Sequence, residues 1–123
     1  MIDYKYEQVL SNEGICEMVR QCMLKERFQA AIYINDRDDR IKCAKKIYSM
    51  SKCKMRNSQF GSQIMYDNGS TIHIVPAVEG MRCRRSCMIL YDKGIDADII
   101  NNVIRRTIIG YDRIEPEHSV PVI

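Results

Sequence analysis

Cys87-Met88-Ile89-Leu90-Tyr91-Asp92 is an apolar run that ends in a carboxylate. A buried strand that carries an aspartate at its carboxyl end places it at the ligand crevice of an α/β sheet, where it can hold Mg²⁺ directly or through water. Asp96 and Asp98 follow within one turn of chain and extend the set of oxygen ligands. A second chemistry competes for these residues. Asp96 stands where a helix cap is expected and Asp98 in the first helical turn, where a carboxylate is favoured by the exposed amides and the dipole. The capping chemistry is the simpler reading, and Asp92 remains as the metal candidate.

Six cysteines and two histidines complete the reactive side chains. The closest cysteine pair, Cys83 and Cys87, has three residues between its members, and neither His73 nor His118 stands at ligand spacing from a cysteine. No Cys–His signature for nucleophilic catalysis is present, and His73 reads as a strand residue. The cysteines at 16, 22, 43 and 87 fall in helix or strand patterns, which points to reduced core thiols rather than a disulfide framework.

The 19 Lys and Arg against 16 Asp and Glu give a net charge of +3, and the distribution is uneven. Residues 1–39 and the tail from 95 are acidic. Residues 40–66 contain seven bases and no acid: Arg40, Lys42, Lys45, Lys46, Lys52, Lys54 and Arg56. Arg82, Arg84 and Arg85 form a second basic cluster in a loop. Lysine and arginine supply most sequence-independent affinity for phosphate backbones, and arginine forks also suit carboxylates. Nucleic acid or an acidic protein surface are therefore the partners expected, with no cofactor. No apolar run reaches the length of a membrane span, and no signal-peptide pattern opens the chain, so a soluble intracellular protein is expected.

These residues must be positioned by a small set of elements. At 123 residues, a single domain over 1–123 is expected, with an irregular tail from about 111. The spacing predicts a helix from Glu13 to Arg27, capped by Ser11 or Asn12, with Ile15, Val19, Cys22 and Met23 on one face. Ala30–Asn35 reads as a buried strand. A second helix from Arg37 to Met50 has Ile41, Ala44, Ile47 and Tyr48 as its stripe, acids at its start and lysines toward its end. Ser49 to Ser62 reads as a mobile basic loop. Asn68-Gly69 between two strand-like runs predicts a type I′ hairpin that pairs Met65 with Ile72 and Tyr66 with Thr71. The strand 87–92 and a last helix from Asp96 to Ile109 follow. The fold class is α/β: a small, mostly parallel sheet with a β-hairpin, covered by about three helices.

Asn68-Gly69-Ser70-Thr71-Ile72-His73-Ile74-Val75-Pro76, then Gly80-Met81-Arg82-Cys83-Arg84-Arg85, then Cys87–Asp92, resemble the middle of the ATPase domain of bacteriophage large terminase subunits and related helicase-type P-loop motors. The resemblance covers residues 28–109. It implies a reduced motor-like sheet, a phage or prophage origin, a bacterial host cytoplasm, and Asp92 as the one retained catalytic-type position. Three departures stand against ATP hydrolysis. No Gly-x-x-x-x-Gly-Lys-Ser/Thr sequence exists to cradle phosphates, Cys83 replaces the glycine of the Arg-Gly loop, and Lys93 occupies the place of the catalytic glutamate.

The expectation is a non-catalytic protein that binds nucleic acid, or a nucleic-acid-processing enzyme, through Arg40, Lys42, Lys45, Lys46, Lys52, Lys54, Arg56, Arg82, Arg84 and Arg85. Two further readings stand beside it. One is an anti-defence inhibitor, anti-CRISPR-like, that acts by protein–protein binding to a host nuclease. The other is a divergent Mg²⁺-dependent enzyme built on Asp92.

Overall fold

The computed structural model describes residues 7–58, 61–77 and 86–100. Nine elements follow in chain order: β1 (Glu7–Val9), α1 (Asn12–Leu24), β2 (Gln29–Tyr33), α2 (Arg37–Met50), β3 (Lys54–Ser58), β4 (Gly61–Met65), β5 (Thr71–Val75), β6 (Met88–Tyr91) and α3 (Ala97–Ile99). The strands form one six-stranded mixed sheet in the order β1-β6-β2-β5-β4-β3. β1, β6, β2 and β5 run parallel, while β4 is antiparallel to both β5 and β3. The α/β class holds, with a three-stranded antiparallel meander where sequence pointed to one hairpin.

The stretch 49–62, expected to be a loop, contains the end of α2, all of β3 and the start of β4. Its alternation is hidden because β3 is a sheet edge on which only Met55, with Cys53 just before the strand, is turned partly inward. β1 was likewise not anticipated, since a three-residue edge strand carries too little pattern to register.

Two apolar layers close the sheet. On one face, Ile15, Met18, Val19 and Cys22 of α1 and Cys43, Ala44 and Ile47 of α2 pack on Ala30, Ile32, Ile64, Ile72, Ile74, Met88 and Leu90. On the other, Ala31, Tyr33, Ile89 and Tyr91 are covered by Ala77 and Ile95, with Ile99 and Ile100 against them. Strand residues alternate between these layers because successive side chains leave a strand on opposite faces. The helical stripes are rotated from those expected. Met23 is 57% exposed while Met18 is buried, and Tyr48 is 48% exposed while Arg40 and Cys43 are buried. α2 reaches Met50 as anticipated, with Asp36 as cap, but no base falls in its last turn. Of the final helix, Ala97–Ile99 is observed, capped by Asp96; the remainder lies outside the described residues.

The Asn-Gly turn is not type I′. Gly69 has φ +87, whereas Asn68 does not adopt positive φ. The turn is closed by Gly69 N–H donating to Tyr66 O and Tyr66 N–H donating to Ser70 O. That geometry is the three-residue loop, a type I turn followed by a left-handed glycine. The additional loop residue shifts the register by one, so Ile64 pairs with Ile72 and Met65 with Thr71. A one-residue shift decides which side chains share a face. It brings Ile64 and Ile72 together in the helix-covered core.

Candidate nucleic-acid interface

The carboxyl ends of the parallel strands finish at one level, because their ladders continue past the strands. Leu10 N–H donates to Tyr91 O, Asp92 N–H to Tyr33 O, and Ile34 N–H to Val75 O. Asp92 therefore leaves the sheet between the β1–α1 junction and the β2–α2 junction. α1 starts there with Ser11 as its cap, the hydroxyl accepting from Gly14 N–H at 3.0 Å. α2 starts beside it, Asp36 accepting from Asp39 N–H at 2.9 Å.

Between the two junctions lies an open groove of about 430 Å³, lined by Leu10, Ser11, Asn12, Ile15, Ile34, Asp39, Lys42, Cys43, Lys46 and Asp92. Lys46 Nζ donates to Asn12 Oδ1 across it. Position at the carboxyl ends of parallel strands is where open α/β sheets take their ligands. The charges within it balance, with two lysines against two aspartates, so the groove alone is not an anion trap. Lys45 adds a positive charge just outside the groove. Lys42, Lys45 and Lys46 stand at i, i+3 and i+4 on α2, all exposed, the first and last on the wall of the groove. Among the described residues, none of the three is engaged in an ion pair.

The fold does not gather the seven bases of residues 40–66 onto one surface. Arg40 is a correction to the expected site. It is buried, and its Nη1 donates to Ile34 O at 2.9 Å and Asn35 O at 2.6 Å, so it closes the end of β2 instead of facing a ligand. Lys54 and Arg56 are exposed on β3. Their neighbour Met55, paired with Ile64, turns toward the helices, so Lys54 and Arg56 project from the opposite face of the sheet. Lys52, exposed, lies on the connection between α2 and β3. Arg82, Arg84 and Arg85 lie outside the described residues, as does Cys83.

The acidic candidates separate as well. Asp96 Oδ1 accepts from Asp98 N–H at 2.7 Å, the capping geometry. Among the described residues, no group of three His, Cys, Asp or Glu side chains is arranged to hold a metal ion. His73 is half-buried on β5, level with Gln63 and Ala31 on the face away from α1 and α2. The five described cysteines are free thiols. Burial, assisted by nearby Cys87, pushes Cys22 up to about 12 from an ordinary 9.0, and burial pushes Cys43 up to about 11 against the opposing charge of Lys46. Thiols held so firmly in the neutral form are core hydrophobes and poor nucleophiles.

Sequence reasoning missed Asn12 and Asp39 as groove residues. The cap preceding each helix is the signal that could have located them, since both caps sit at carboxyl ends of adjacent parallel strands. No helix among the described residues is long and apolar enough to cross a membrane. Comparison with family models, curated proteins and solved structures finds no match to the chain.

Proposed function

We propose that the protein binds nucleic acid through its phosphate backbone, using the lysine face of α2, and does so without catalysis. The observation that carries this reading is the triad Lys42, Lys45 and Lys46, exposed on one helix face beside the N-terminus of α1. A row of ammonium groups without ion pairs on a rigid helix, of which Lys46 also donates to Asn12 Oδ1, attracts phosphates at any sequence and releases their counterions. The amino end of α1 adds the partial positive charge of its unpaired amides at the same place. Asp39 and Asp92 offset Lys42 and Lys46 within the groove while Lys45 stands outside it, which favours a polymer lying across the exposed face of α2 over a small anion held inside the groove.

The resemblance to the central part of terminase ATPase domains supports the same direction, a phage or prophage protein that works on nucleic acid. The missing P-loop sequence and Lys93 support a role without ATP hydrolysis. The test is binding of labelled single-stranded and duplex DNA and of RNA, by wild type and by the Lys42→Gln/Lys45→Gln/Lys46→Gln variant. Binding that disappears in the variant while the fold is retained supports the reading, and undiminished binding contradicts it.

A further inference from the structure

We propose that the outer edge of β3 is a docking site for an acidic, extended segment of a partner protein, which joins the sheet as an additional strand. This inference is independent of the lysine face of α2. Among the described strands, β3 pairs with β4 alone. In such a strand every second residue directs its N–H and C=O away from the paired neighbour, leaving a template for main-chain hydrogen bonds.

The two sides of this edge differ in chemistry. On the helix side, α2 overhangs the strand. Ile41 and Tyr48 stand seven residues apart, on one flank of the helix. Ile41 shares a cavity of about 230 Å³ with Asn57 and Ser58 of the β3–β4 hairpin, and the Cys53 thiol, just before β3, donates to Tyr48 O. Ile41 and Met55 are half-buried and Tyr48 is 48% exposed, so an apolar strip runs beside the edge. On the opposite side, Lys54 and Arg56 are exposed and, among the described residues, without ion pairs. A strand laid along β3 would turn apolar side chains toward Ile41, Tyr48 and Met55, and carboxylates toward Lys54 and Arg56.

Charge selects this occupant over a second copy of the chain. An antiparallel β3–β3 pair sets Lys54 and Arg56 of each copy on one face, and like charges across strands are destabilising. Cations on an edge keep a sheet from pairing with itself. The same cations attract an acidic strand.

The experiment uses the full chain and two short capped peptides, one alternating valine with glutamate and one alternating valine with lysine. Binding is followed by fluorescence anisotropy, and the site by amide hydrogen exchange. The expected result is binding of the glutamate peptide with slowed exchange across 54–58. Lys54→Glu/Arg56→Glu should weaken it by at least about tenfold and transfer the preference to the lysine peptide. Lys54→Gln/Arg56→Gln, which keeps a polar exposed edge, should lose part of the affinity. Equal binding of both peptides, or no change of exchange at β3, overturns the proposal. Slowed exchange at β3 caused by self-association assigns the edge to a second copy, and slowed exchange caused only by an oligonucleotide assigns it to nucleic acid. Either outcome also overturns it.

Discussion

Asn68 Nδ2 donates to Cys22 O at 2.7 Å and to Lys25 O at 3.1 Å, so the tip of the β4–β5 turn closes the carboxyl end of α1. The same side chain accepts from Ser70 N–H at 3.0 Å through Oδ1. Ser70 Oγ continues the lock, donating to Lys25 O at 2.7 Å and accepting from Phe28 N–H at 3.0 Å. Asn68 and Ser70 of the Asn-Gly-Ser segment therefore have a structural role. They satisfy carbonyls that a helix end leaves without intrahelical partners.

Asn68→Ala should destabilise the fold by about 1–3 kcal/mol, because the part-buried bond to Cys22 O is lost, while Lys25 O keeps its bond from Ser70 Oγ. Asn68→Asp should be no better than alanine: one carboxylate oxygen keeps the bond from Ser70 N–H, but the other sets an acceptor against the carbonyls of Cys22 and Lys25. Urea unfolding midpoints check both, and an aspartate variant as stable as wild type contradicts the assignment.

Two glycines are fixed by space and by backbone conformation. A Cβ at Gly69, at φ +87, would stand 3.2 Å from Arg27 Cγ. One at Gly61 would stand 2.3 Å from the backbone oxygen of Ile74. Gly69→Ala should cost about 1 kcal/mol from the left-handed conformation, since the flexible Arg27 side chain can yield. Gly61→Ala should cost more, because the β4–β5 backbones must separate. Thermal unfolding of the two variants should rank them in that order.

Arg40 separates structure from binding within the basic stretch. Arg40→Ala removes a buried cation that holds Ile34 O and Asn35 O, and should destabilise by about 2–3 kcal/mol. Its folded fraction should bind nucleic acid as wild type does. The expected contrast is Lys45→Gln, which should weaken binding while leaving stability within about 0.5 kcal/mol.

The buried thiols make stability fall in base. Cys22 and Cys43 have folded values raised to about 12 and about 11, above the ordinary 9.0. Their contribution is whole below pH 9 and is lost as pH rises from 9 toward 11 and 12, since the unfolded thiols ionise first. In native protein at pH 8, iodoacetamide should label exposed Cys16 while Cys22 and Cys43 stay protected. Mass spectrometry of the labelled protein reads this directly, and equal labelling of all three would contradict the core assignment.

Much of the scaffold was legible because its signals are local. Met50 as terminus of α2, a cap at Ser11 or Asn12 before α1, and the apolar runs of β2 and β6 all follow from short patterns. What escaped depended on tertiary placement. Met18 rather than Met23 is buried because α1 presents that flank to the sheet, and both residues satisfy a spacing of three or four. β3 was hidden because an exposed edge strand needs no alternation. The hairpin register turned on whether Asn68 adopts positive φ, and its bonds to the end of α1 hold it elsewhere. At the site, the exposure of Lys42, Lys45 and Lys46 followed from helical spacing. Burial of Arg40 and the projection of Lys54 and Arg56 from the far face depended on the sheet.

If α2 presents its lysines to phosphates, the salt dependence of binding measures it. The logarithm of the binding constant for duplex DNA should fall linearly with the logarithm of salt concentration. Each lysine in contact with a phosphate contributes about 0.9 to the slope, or about 0.7 on a single strand. Replacing Lys42, Lys45 and Lys46 together with glutamine should reduce the duplex slope by about 2–3. A slope that is the same in wild type and variant would contradict the account.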